Sequence, residues 1–138
     1  MNEPKENCIF CKIINKEISC PLVYEDNEVL AFLDINPVNK GHTLVIPKIH
    51  YKNIYETPDE ILSRLITTAK KIAIKLKETM VAEGINIHMN NDAISGQVVF
   101  HAHIHVIPRL PNDGFTHWKG TPYKDGEENQ ILQKIKSQ

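Results

Sequence analysis

Residues 101–107 read His-Ala-His-Ile-His-Val-Ile, a strict alternation of imidazole and apolar side chains. On a β-strand, residues two apart point to the same side and are separated by about 6.6 Å. The pattern predicts a strand with His101, His103 and His105 on one face. Phe100, Ala102, Ile104 and Val106 would point the other way, toward whatever packs on the sheet. Three histidines in a row are poor core filler, because each buried imidazole needs hydrogen-bond partners. Two chemistries use such a row: metal chelation, and catalysis at phosphorus or an acyl carbon. Periodicity alone does not separate them.

The element expected to cover this sheet is a long amphipathic helix. Thr57-Pro58-Asp59-Glu60 offers a Thr N-cap, Pro at the first helical position and Glu three residues after the cap. Ile61, Leu62, Leu65, Ile66, Ala69, Ile72, Ala73, Leu76 and Met80 recur at helical spacing, and Gly84 is the expected stop. Lys70, Lys71, Lys75 and Lys77 are then its solvated face. Short strands are expected at residues 22–24, 28–34, 42–47, 85–89 and 98–108, with the Asp26-Asn27 pair turning the first two into a hairpin. A short helix or tight turn is expected over residues 8–14, and residues 110–138 read as irregular. One long helix on an antiparallel sheet of about five strands is an α+β arrangement.

Composition bounds the function classes. A chain of 138 residues with 41% hydrophobic residues is expected to form one domain over 1–138 without disulfide staples. A net charge of −1 lacks the basic excess of a dedicated nucleic-acid binder. Apolar runs such as residues 44–47 are too short to cross a membrane, so neither nucleic acid nor membrane is an expected partner. Residues 1–7 are polar and do not read as a secretory signal. Three cysteines cannot all pair within the chain, and a reducing cytoplasm is the expected compartment. Cys8-x-x-Cys11 suggests zinc but supplies only two of the four ligands a structural site needs, and seven histidines could complete it. A redox reading would need a βαβ context that seven preceding residues do not provide. Cys20 reads as a free thiol, and His88 and His117 as surface or satisfied polar residues.

Residues 101–107 resemble the signature of the histidine triad family. Other segments resemble that family in the same order: residues 8–14, Phe32-Leu33-Asp34-Ile35, residues 41–48, and Asn90 with Gly96-Gln97. The resemblance runs from about residue 8 to residue 109. It implies a nucleotide hydrolase or transferase acting on the α-phosphate of purine nucleotide derivatives, of phosphoramidase or dinucleoside polyphosphate type. By that resemblance His103 is the nucleophile and forms a covalent nucleotidyl-histidine. His105 bonds the phosphate and helps protonate the leaving group, and His42 orients the triad. Gln97 and the Val98 N–H would face the phosphate, Asp34 the ribose, and Phe10, Ile13, Phe32 and Ile35 the base; Asn90, in the loop before the triad, is a further substrate-binding residue by the same resemblance. The resemblance also implies one structural zinc ion per chain on Cys8, Cys11, His50 and His101, and a homodimer. Relatives that transfer nucleotides between sugar phosphates carry Gln at the third histidine, so His105 favours hydrolysis. The loop 91–95 lacks the glycine that many relatives have near its start. The alternatives are a hydrolase with a catalytic metal on His101, His103 and His105, and a non-catalytic nucleotide-binding module.

Overall fold

The computed structural model describes residues 5–137, so the first four residues of the polar opening and Gln138 lie outside the described residues. The chain runs α1 (Ile9–Ile14), β1 (Leu22–Glu25), β2 (Val29–Leu33), β3 (Thr43–Pro47), α2 (Asp59–Thr79), β4 (Gly84–His88), β5 (Ile104–Arg109) and α3 (Glu127–Lys136). All pairings in the five-stranded sheet are antiparallel, in the order β1-β2-β3-β5-β4. This is the expected α+β architecture.

The two sheet faces carry separate apolar clusters. On one, Val29, Ala31, Val45, Ile104 and Val106 pack against Leu65, Ala69, Ile72 and Leu76 of α2. On the other, Leu30, Phe32, Leu44 and Ile46 pack against Phe10, Cys11 and Ile13 of α1. The period-2 alternation of β2 and β3 thus buries both sides of the central strands. Gly41 lets β3 start beneath the end of α2: its φ is +97°, and a Cβ there would lie 3.0 Å from Met80 Cγ. Among the described residues no helix is long and apolar enough to cross a membrane.

Several local expectations are corrected. The last ladder begins at Ile104, not at residue 98, because β3 pairs with β5 only as far as Val45↔Ile104. Before that point the backbone leaves the sheet, and the Ala102 N–H donates to Tyr51 O at 2.7 Å. Phe100 consequently does not face α2; it is exposed, with Lys52 Nζ 5.7 Å from its ring centroid. Thr57 is not the cap of α2. Its hydroxyl donates to Asn53 O at 2.7 Å, closing a preceding turn, and Pro58 takes the cap position. Gly84 opens β4 and does not stop the helix, which ends at Thr79 with Val81 at positive φ.

The segment expected to be irregular ends in a helix. In α3, Glu127 and Glu128 sit in the first turn and Lys134 and Lys136 in the last, which complements the helix dipole. Arg109 anchors the start of this segment by donating from Nε and Nη2 to Asp113 at 2.7 and 3.0 Å.

Candidate active site and metal centre

The histidine-rich segment divides between two sites, and the division follows from where the ladder starts. His101 and His103 precede β5, whereas His105 lies within it, paired with Leu44 on one side and His88 on the other. The expectation that three imidazoles share one strand face is therefore corrected: His101 serves one site, His103 and His105 another.

At the first site the CxxC turn opens α1. Cys8 is the N-cap, and its Sγ accepts the Cys11 N–H at 3.2 Å. Cys8, Cys11, His50 and His101 are all buried, and their ligand atoms lie within 4.8 Å of one another. His101 Nε2 donates to Pro47 O at 2.8 Å, which fixes the tautomer and leaves the Nδ1 lone pair free. That Nδ1 lies 3.4 Å from Cys8 Sγ and 3.6 Å from Cys11 Sγ, and His50 Nδ1 lies 3.3 Å from Cys11 Sγ. Zn–S and Zn–N bonds at tetrahedral angles place sulfur and nitrogen roughly 3.6 Å apart, so the four residues fit a zinc ion. Burial, with the neighbouring Cys8 thiol adding to it, pushes the Cys11 thiol up to about 11, and burial, with His50 and His103 adding to it, takes the His101 imidazole down to about 4. A cation offsets the cost of burying the thiolates, and binding it releases their protons.

The second site is a cleft of about 460 Å³ between α1, the end of β2 and the triad segment. Phe10, Ile13, Phe32, Ile35, Asp34, Val98, His103 and His105 all line it. Phe10 meets Phe32 edge to face at 5.4 Å and His103 at 5.2 Å, so the α1 aromatic ties the apolar wall to the triad. Residues 18–21, Cys20 among them, form a further stretch of wall that the sequence did not single out.

Hydrogen bonds fix the proton positions. His103 Nδ1 donates to His101 O at 2.7 Å, leaving Nε2 as a lone pair open to the cleft. His42 Nδ1 accepts the Val38 N–H at 3.0 Å, so the proton of the neutral ring sits on Nε2. His42 Nε2 therefore donates to His105 Nδ1 at 2.9 Å, and His105 carries its own proton on Nε2. That Nε2 is buried and has no hydrogen-bond partner among the described residues. Burial holds His103 and His42 below their ordinary values. It takes His105 down to about 3, with His103, His88 and His42 adding to the effect. All three rings are neutral at pH 7.

The remaining candidates divide. Asp34 Oδ2 lies 3.7 Å from His42 Nε2, while its Oδ1 accepts the Asn36 N–H at 2.8 Å, so one oxygen closes a turn and the other faces the histidine chain. The Gln97 side chain is spent on backbone groups: Nε2 donates to Lys52 O, in the segment after β3, and to Val99 O, and Oε1 accepts the Asp92 N–H. Asn90 is not brought to the cleft wall; its Nδ2 faces Gly96 O at 3.5 Å. The missing loop glycine has a visible consequence, since Asp92 sits at φ +76° and ψ 155°, a region essentially reserved for glycine. The three-histidine metal reading is not supported by this arrangement. His101 and His103 turn to different sites, and each spends one ring nitrogen on a backbone carbonyl.

Comparison with known proteins agrees with this geometry. The HIT domain family profile matches residues 15–112. The chain is 50% identical over 129 residues to an uncharacterised HIT-like protein of Methanocaldococcus jannaschii, covering 94% of this chain and 98% of that protein. It is 40% identical over 109 residues to an adenylylsulfatase of Arabidopsis thaliana, covering 79% of this chain and 55% of the relative. A HIT-family crystal structure from Bacillus subtilis superposes with a TM-score of 0.88 at 46% identity, covering 96% of each chain. A zinc-bound histidine triad protein from Mycobacterium smegmatis superposes at 0.77 with 33% identity, covering 95% of this chain and 96% of that one.

Proposed function

The chain belongs to the HIT domain family, and from that premise we propose that it is a nucleotide hydrolase acting at the α-phosphate of purine nucleotide derivatives through a nucleotidyl-histidine on His103. The observation that carries this reading is the directed chain Val38 N–H to His42 to His105, which ends in a buried, unpartnered N–H. A buried donor without a partner is costly, and a phosphate oxygen in the cleft would satisfy it. Beside it, His103 offers an unprotonated Nε2 at neutral pH, the form a nucleophile needs.

In the proposed reaction, His103 Nε2 attacks phosphorus and the bond to an amine or oxygen leaving group breaks. Water then attacks the phosphorus and the phosphorus–nitrogen bond breaks, releasing the nucleoside monophosphate and a proton and restoring the imidazole. His105 Nε2–H would hold a phosphate oxygen, and the leaving group would take its proton from solvent, to be returned when water completes the hydrolysis. Phe10, Ile13, Phe32 and Ile35 would enclose the base, and the free Asp34 oxygen would receive the ribose hydroxyls. With its side-chain amide spent on backbone groups, Gln97 would act by tying its loop to the segment after β3, while the N–H of the exposed Val98 would reach the phosphate.

Cys8, Cys11, His50 and His101 would hold one zinc ion, which would pin α1 beside the triad segment. A homodimer fits the arm beyond residue 115, where Trp118 is 98% exposed and α3 shows Ile131, Leu132 and Ile135 to solvent. Such an apolar arm is expected to pack on a second copy.

Mixing the protein with an adenosine phosphoramidate, quenching in alkali and measuring intact mass tests the chemistry. Turnover with a transient adenylyl adduct, absent in His103→Ala, is expected. Should the adduct be too short-lived in the wild type, His105→Ala is expected to accumulate it. Nucleotide binding without turnover would replace this reading with the binding-module alternative.

A further inference from the structure

His88, expected to be a surface or satisfied polar residue, is exposed, and the strand register places it beside the reactive histidines. β4 pairs with β5 so that His88 stands opposite His105 on the same sheet face. The two rings stack at 4.6 Å between centroids and 19° between planes. The other rings around His105 approach differently: His42 is tilted at 51°, and His103 meets it at 60°. His88 is thus the neighbour that covers the face of His105, while His42 holds one edge through Nδ1.

We propose that His88 is a positioning residue: its stacked ring fixes the plane of His105, so that the unpartnered Nε2–H stays aimed at the phosphate. The physical need is specific. An imidazole held by one hydrogen bond can still tilt about that bond, and a half-turn of the ring exchanges nitrogen for carbon at both edges. A parallel neighbour opposes both motions without taking a hydrogen bond away from the ring. An exposed histidine on an edge strand thus lies flat against a half-buried one whose Nε2 is withdrawn from water. This inference rests on the hydrolase reading for its catalytic consequence, but not for its geometric core.

Two variants test it. His88→Ala is expected to lower kcat about tenfold with little change in KM, because a displaced donor costs transition-state stabilisation while the substrate still binds. His88→Phe keeps a flat ring and is expected to restore most of the loss. An unchanged kcat in His88→Ala, a change in KM alone, or a His88→Phe variant as slow as His88→Ala would each overturn the inference. Nitrogen-15 spectra of the imidazoles at neutral pH supply a reading independent of turnover. His105 is expected as a single Nε2–H tautomer in wild type and His88→Phe, and as a mixture in His88→Ala. A single unchanged tautomer in all three proteins would also overturn it. Should the wild type show no turnover, the hydrolase reading fails, and the tautomer spectra alone decide this one.

Discussion

His101 and His105 lie four residues apart in one segment, the first buried and the second half-buried, and are held in opposite conditions. The first has both ring nitrogens directed, one to Pro47 O and one to the cysteine sulfurs. The second has one nitrogen bonded to His42 and the other buried without a partner. A fully directed histidine suits a structural centre, since nothing remains for a substrate to engage. A histidine left one bond short suits a site whose last partner arrives with the substrate. His103, between them, resembles the second: one nitrogen is committed to a carbonyl and the other faces the cleft.

The largest effect that should separate the two ends is His103→Ala. Loss of at least about 10³-fold in phosphoramidate turnover is expected, with zinc content by metal analysis unchanged. Loss of zinc in that variant would break the division between the sites. The mirror experiment is Cys11→Ala, expected to abolish zinc binding and to destabilise the fold by an amount on the order of 4 kcal/mol in denaturant titration. A metal-free variant of wild-type stability would remove the structural role given to that cluster.

Acid supplies a smaller test. His105 sits at about 3 in the folded chain, below the roughly 6.5 of a free imidazole. Between those values the unfolded chain binds the extra proton, so this group's contribution is full above about pH 6.5 and is lost as pH falls toward 3. The melting temperature of wild type should therefore fall more steeply on acidification than that of His105→Gln. Parallel slopes would mean that the imidazole is less withdrawn from water than its neighbours indicate. The smallest effect is expected at Asp92→Gly, where relief of the backbone at φ +76° should add about 1 kcal/mol. The lost contact between Tyr55 OH and the Asp92 carboxylate offsets part of that gain. A melting temperature that drops would show that this contact outweighs the strain.

Much of the architecture was legible because local periodicity survives folding. The run of apolar residues at helical spacing gives α2, and the apolar stretches give the five strands to within a few residues, save the last. What failed depended on partners distant in sequence. The alternation of residues 98–103 looks like strand, but a ladder needs a neighbour, and β3 stops pairing with β5 at Val45. Thr57 has the chemistry of a cap and spends it on Asn53. The turn-forming residues 111–122 masked the helix-forming run behind them, which became α3.

The amino-acid sequence by itself determined the fold class, the cysteine pair and the histidine segment, because residue type and period are local properties. Its resemblance to the histidine triad family also named the four residues now found clustered around one centre. Only the tertiary structure decided which nitrogen of each imidazole carries its proton and which is left free. That choice is set by Pro47 O, His101 O and the Val38 N–H. Only the tertiary structure, too, brought His88 onto the face of His105, 17 residues away in the chain. A hydrogen-bond direction is a property of two groups in contact, and a single chain position does not contain it.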